Sequence, residues 1–162
     1  SRFTSPGPVV CHLFGPSRQT TIDPGAERAE AMKAVRVLRA EDGCAMGRQL
    51  RGLLRQQVEV IGLVQDGESL VQAARSMLPD VVVTDIAMPG LSGLEAARRL
   101  RTQRPVLGVV FITVHAELQM VRQAMALGVC SYVLKSDAGD DLLLAVQAAL
   151  DGVPFVSRSL QR

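Results

Sequence analysis

Glu41-Asp42, Asp85, Thr113 and Lys135 each stand at the carboxyl end of a short, mostly apolar run. Glu41-Asp42 closes Val35-Arg36-Val37-Leu38-Arg39-Ala40 and Asp85 closes Val81-Val82-Val83-Thr84. Thr113 closes Val109-Val110-Phe111-Ile112, and Lys135 closes Tyr132-Val133-Leu134. If those runs end side by side, three carboxylates share one crevice with a hydroxyl and an ammonium. Like charges ~4 Å apart repel by about 4 kcal/mol at an effective dielectric of 20, so such a cluster calls for a cation. Oxygen ligands that leave room for water suit Mg2+, which takes one or two carboxylates together with phosphate oxygens. Taken singly, each residue has an ordinary explanation: an Asp after a strand commonly makes a turn or caps a helix. That explanation needs a separate coincidence at each of four strand ends.

The elements that would bring these residues together are legible as alternating apolar runs and amphipathic stretches. Val35 to Ala40 reads as a first strand, and Ala45 to Arg55 carries Met46, Leu50, Leu53 and Leu54 at helical spacing. Val58 to Val64 is a second strand, followed by a helix with Leu70, Val71, Ala74 and Met77 that Leu78-Pro79 breaks. Val81 to Thr84 is a third strand; after the loop Met88-Pro89-Gly90-Leu91, Ser92 can cap a helix bearing Leu94, Ala97 and Leu100. Val109 to Thr113 is a fourth strand, and a helix with Leu118, Val121 and Met125 stops at Gly128. Tyr132 to Leu134 is a fifth, and a last helix carries Leu143, Val146 and Leu150 toward the core before Gly152.

Five strands alternating with five helices predict an α/β fold, a doubly wound parallel sheet with right-handed crossovers. The flavodoxin-like strand order 2-1-3-4-5 suits this count, and such sheets bind ligands beyond the carboxyl ends of strands 1 and 3.

Composition narrows the class. The 162 residues can bury a real core, and with 48% hydrophobic but only 3% aromatic residues that core must be aliphatic. A net charge of +2 without a Lys/Arg run leaves no electrostatic footprint for nucleic acid. Cys11, Cys44 and Cys130 are odd in number and scattered, which argues against a disulfide framework or a zinc site and for a reducing compartment. No apolar run approaches the ~18 residues of a membrane span, so a cytoplasmic protein without membrane contact is expected. Residues 1–31, punctuated by Pro6, Gly7, Pro8, Gly15, Pro16, Pro24 and Gly25, hold no lasting period and read as a disordered or loosely attached extension. A folded domain over 32–156 and a linker stub over 157–162 complete the expected organisation.

The segments Val35–Asp42, Asp80–Gly90, Phe111-Ile112-Thr113 and Ser131–Lys135 together resemble the receiver domains of two-component response regulators, the NarL/FixJ-type branch most of all. The resemblance implies that Asp85 accepts a phosphoryl group from a sensor histidine kinase. It implies that Asp42, Asp85 and the Ala87 backbone carbonyl ligate Mg2+, with Glu41 helping mainly through water. Thr113 would hydrogen-bond the phosphoryl group, Lys135 would pair with it, and Tyr132 would be the switch aromatic. The chain would be a switch rather than an enzyme, with weak Mg2+-dependent autophosphorylation and autodephosphorylation. It would act in transcription regulation, with a phosphorylation-dependent homodimer and with DNA contacted only through an output domain absent from this chain. The chemistry is coherent: phosphoryl transfer has a loose transition state whose charge lies on peripheral oxygens, so a carboxylate nucleophile, a cation and fixed donors suffice.

Three departures from the family pattern stand out. Arg39 lies where an aliphatic residue is usual and must reach solvent or find a partner. Glu41 replaces the commoner Asp, and Gly43-Cys44 sets a thiol near the site. His115 reads as a loop residue. Two other readings remain open. A phosphotransferase or phosphatase with an aspartyl-phosphate intermediate would want a second acid two residues after Asp85, where Ala87 stands. A nucleotide- or flavin-binding module of the same fold would want a glycine-rich loop after the first strand, where Glu41-Asp42 would repel phosphate. Apolar Leu142, Ala145 and Ala149, outside the expected core stripe of the last helix, nominate that helix as part of a partner-binding face.

Overall fold

The computed structural model describes Gly25, residues 34–41 and residues 48–161. Its elements are β1 (Arg36–Ala40), α1 (Arg48–Gln57), β2 (Glu59–Val64), α2 (Gly67–Met77), β3 (Val81–Asp85), α3 (Gly93–Gln103), β4 (Gly108–Thr113), α4 (Leu118–Met125), β5 (Ser131–Leu134), α5 (Ala138–Asp151) and β6 (Phe155–Val156). All strand pairings are parallel, in the order β2-β1-β3-β4-β5-β6. The expected order 2-1-3-4-5 is thus present, and the sheet carries one strand more than the five expected.

Period-two alternation divides the strands between two cores. Leu38, Ala40, Val82, Val109, Phe111, Tyr132 and Leu134 face α2, α3 and α4, meeting Leu70, Ala74, Ala97, Leu100 and Val121. Val37, Val81, Val83, Val110, Ile112 and Val133 face α1 and α5, meeting Leu54, Leu142, Ala145 and Val146. β3 and β4 are buried at every position, as central strands covered on both faces must be. Local signals set the helix limits. Asp66 caps α2 by accepting from Ser69 N at 2.8 Å, Ser92 caps α3 through Glu95 N at 3.2 Å, and Gly152 ends α5 at φ 70°.

Two expectations need correction. The buried stripe of α5 is Leu142, Ala145, Val146 and Ala149, whereas Leu143 is half-buried and Leu150 exposed. The alanines win because they let the helix approach closely: a side chain on Gly108 of β4 would stand 3.2 Å from the Ala149 Cβ, and Ser131 Oγ donates to the Ala145 carbonyl at 2.8 Å. Those apolar residues therefore belong to the core and do not mark a partner face. The second concerns the end of the chain. β6 pairs with β5, Ser157 is buried, and its Oγ accepts from Leu134 N at 2.8 Å. A 3-10 turn at Arg158–Leu160 follows, its Leu160 packed on the core, so packed structure continues past residue 156.

The extension expected over residues 1–31 lies, apart from Gly25, outside the described residues, as do Met32, Asp42, the Gly43-Cys44 pair and Met46. Among the described residues, no helix is long and apolar enough to cross a membrane.

Candidate phosphoacceptor site

Asp85 is the last residue of β3 and is almost enclosed, at 4% exposure. β3 and β5 both run to the same sheet edge, and this brings Lys135, the residue after β5, to Asp85: Nζ lies 3.0 Å from Oδ2. The other carboxylate oxygen, Oδ1, accepts from the Ala87 amide at 3.3 Å. The backbone of Asp85 is itself gripped. Thr84 Oγ1 donates to its carbonyl at 2.9 Å, and α3 begins so close that a Cβ on Gly93 would fall 1.9 Å from that oxygen. Only a residue without a side chain can stand at 93 while its N–H donates to Ile86 O at 2.8 Å.

Glu41 follows β1 and is 3% exposed. Its Oε1 accepts from Arg39 Nη2 at 2.7 Å, so the arginine that broke the aliphatic pattern of β1 turns inward to an acid rather than out to water. Burial pulls the Arg39 pKa down, the nearby Glu41 carboxylate opposes that, and Arg51 and Arg55 add to the lowering. Glu41 and Asp85 are each already matched by a protein cation, Arg39 and Lys135, and a metal ion is not the sole means of relieving their repulsion.

Thr113 ends β4 fully buried, its Oγ1 accepting from His115 N at 3.1 Å. Tyr132, on β5, is also fully buried and donates to the His115 carbonyl at 2.7 Å. Burial first, and Glu117 second, push its phenol up to about 12. Thr113 and Tyr132 therefore hold the backbone N–H and C=O of one loop residue. Cys130, just before β5, is buried and its thiol is pushed up to about 11 by desolvation.

Asp85, Lys135 and the Ala87 amide are thus brought together, with Glu41, Thr113 and Tyr132 fixed at the ends of β1 and β4 and on β5. Asp42 lies outside the described residues, and among those described no three His, Cys, Asp or Glu side chains gather closely enough to hold a metal ion. The donor chemistry still fits Mg2+: Glu41 Oε2 is buried without a hydrogen-bond partner among the described residues, and hard oxygens of this kind are what the ion accepts. Gly93 and the role of the His115 backbone were not read from the sequence. The glycine two residues before Glu95 in Ser-Gly-Leu-Glu was the available signal for the first, and nothing local signalled the second.

A family profile, "Response regulator receiver domain", matches residues 37–147. The chain belongs to that family. Among curated relatives, the receiver is 40% identical over 94 residues to "Transcriptional activator protein ExaE" of Pseudomonas putida, which covers 58% of this chain and 44% of that protein. It is 31% identical over 123 residues to "Transcriptional regulatory protein PdtaR" of Mycobacterium tuberculosis, with 75% and 60% covered. The chain spans about half the length of the curated relatives it matches. Among solved structures, a two-component response regulator of the LuxR family from Aurantimonas superposes with a TM-score of 0.72 at 26% identity, over 79% of this chain and 93% of that one. The receiver is a signalling module of two-component phosphorelays, with the sheet and helix layers common to such domains.

Proposed function

We propose that this receiver takes a phosphoryl group onto Asp85 from a phosphorylated sensor histidine kinase, with Asp42, Glu41, Asp85 and the Ala87 carbonyl holding Mg2+. The observation that carries the reading is the pairing of a nearly enclosed Asp85 with Lys135 Nζ at 3.0 Å. An Asp carboxylate is a competent nucleophile toward phosphorus when a fixed cation receives the transferred oxygens.

Bound Mg2+ would supply charge neutralisation at the peripheral oxygens of the transferring group. The chain's own residues do the rest. The Ala87 N–H on Oδ1 orients the carboxylate, one of whose oxygens forms the new P–O bond as the P–N bond to the kinase histidine breaks. Lys135 exchanges its carboxylate partner for phosphoryl oxygens. Thr113 Oγ1 already accepts from His115 N, so its own hydroxyl hydrogen is free to be donated to a phosphoryl oxygen. Acylphosphate hydrolysis, unassisted by any described acid two residues on, returns the carboxylate slowly.

Switching follows from the same contacts. A hydroxyl drawn toward the phosphoryl group shifts the backbone N–H of His115, and Tyr132 holds the carbonyl of the same residue in the next peptide unit. The loop leads into α4, and Val114 at the start of the loop and Leu118 at the start of the helix are exposed. We assign the phosphorylation-dependent contact, with a second copy or an output domain, to the exposed residues at this end of α4. Transcription regulation, and DNA contact through a separate output domain, fit the names of the relatives. The setting is the cytoplasm, where histidine kinases present their phosphoryl groups.

Incubation with acetyl phosphate and Mg2+ tests the chemistry: the intact mass rises by one phosphoryl group, and EDTA prevents the gain. No gain, or a gain indifferent to EDTA, contradicts the reading. Beryllofluoride added during sedimentation velocity tests the contact, with an unchanged monomer counting against it.

A further inference from the structure

β1 carries charge where the inner strand of a doubly wound sheet is normally aliphatic. Arg39 and Glu41 are two residues apart, so strand alternation sends both side chains to one face, and that geometry lets Arg39 Nη2 reach Glu41 Oε1 at 2.7 Å. The partners are enclosed, at 1% and 3% exposure. The register sets Arg39 between Leu63 of β2 and Val83 of β3, neither of which offers a side-chain acceptor. The pairing is also incomplete. Arg39 Nε and Nη1 and Glu41 Oε2 have no hydrogen-bond partner among the described residues. Among the described residues, Glu41 therefore has one oxygen committed to a guanidinium and one without a partner.

We propose that Arg39 is a positioning residue of the metal crevice: an internal counter-cation that fixes Glu41 through Oε1, leaves Oε2 as the oxygen offered to Mg2+ or its water, and weakens binding of the ion. This inference rests on the reading of the crevice as a Mg2+ site. A guanidinium holds its proton under all ordinary conditions, so it cancels the charge of one carboxylate and repels an arriving cation across a low-dielectric interior. Lys135 does the same to Asp85. The ion then meets Glu41 and Asp85 each already paired with a protein cation, and the phosphoryl donor brings further negative charge to the crevice. Mg2+ and donor consequently bind with positive coupling, each raising the affinity for the other.

The test is calorimetric titration of Mg2+ into the parent chain and into Arg39→Leu, Arg39→Gln and Arg39→Lys, with Tm measured in EDTA and in saturating Mg2+. Gln removes the charge but keeps a donor for Glu41, which separates charge from positioning. The Leu and Gln variants should bind Mg2+ roughly tenfold more tightly, with a larger Mg2+-induced rise in Tm, while Lys should keep an affinity near that of the parent. A folded Gln variant that binds no tighter than the parent overturns the proposal, whether or not the Leu variant folds; so does a Lys variant as tight as Leu. If the parent and every variant show neither heat nor a Tm shift with Mg2+, the metal-site reading fails and this proposal falls with it.

Discussion

Tyr132 is tied to His115, its phenol donating to the His115 carbonyl oxygen at 2.7 Å across 17 positions of sequence. Since the N–H of His115 is held by Thr113 Oγ1 at 3.1 Å, β4 and β5 act on one peptide segment from two sides. A double-mutant cycle on Tyr132→Phe and Thr113→Ala should therefore be non-additive. Each single change should cost about 1 kcal/mol, the net worth of one buried hydrogen bond. The interaction energy in urea unfolding should reach roughly 0.5–1.5 kcal/mol. Additivity within error would mean that the loop does not couple the two residues.

Tyr132 is the one tyrosine in the chain, so tyrosinate absorbance reports on it alone. Its folded pKa is raised to about 12, above an unfolded value of about 10. Burial favours the neutral phenol, so its contribution to stability is full below about pH 10 and is lost as pH rises through the folded value. Absorbance should stay flat through about pH 10 and rise only near 12 or together with loss of circular dichroism. A midpoint near 10 with the fold intact would show that the ring is not enclosed.

Gly93 should tolerate no side chain. A Cβ there falls 1.9 Å from the Asp85 carbonyl oxygen and 3.0 Å from Thr84 Oγ1, so Gly93→Ala must displace either the start of α3 or the strand end that carries Asp85. A loss of about 1–3 kcal/mol is expected, as for overpacking elsewhere, with slower phosphorylation by acetyl phosphate. Wild-type stability and rate in this variant would contradict the close packing of α3 on β3.

The strand order was legible in the sequence because the inner strands are mostly apolar runs, Arg39 of β1 apart, and β1, β3, β4 and β5 each end at a polar residue suited to one edge. The fate of Arg39 was not. A charged residue in a buried strand needs a partner, but whether Glu41 or solvent supplies it depends on strand pleat and on what covers that face. The face of α5 is not set by the sequence pattern alone, because Leu142-Leu143-Leu144-Ala145-Val146 offers several apolar stripes and the choice falls to small residues that fit against β4. β6 is two residues long, too short to carry a period, and it forms because β5 leaves backbone groups for it to pair.

The central claim is that Asp85 receives the phosphoryl group, and its most direct test is peptide mapping after acetyl phosphate and Mg2+ treatment, run on the parent chain and on Asp85→Asn. The removed charge leaves Lys135 near an amide of similar shape, so the variant should fold. The account predicts one modified peptide, carrying the group on Asp85, and no incorporation in the variant. Modification at Glu41 or any other carboxylate, or incorporation that persists in Asp85→Asn, would contradict it.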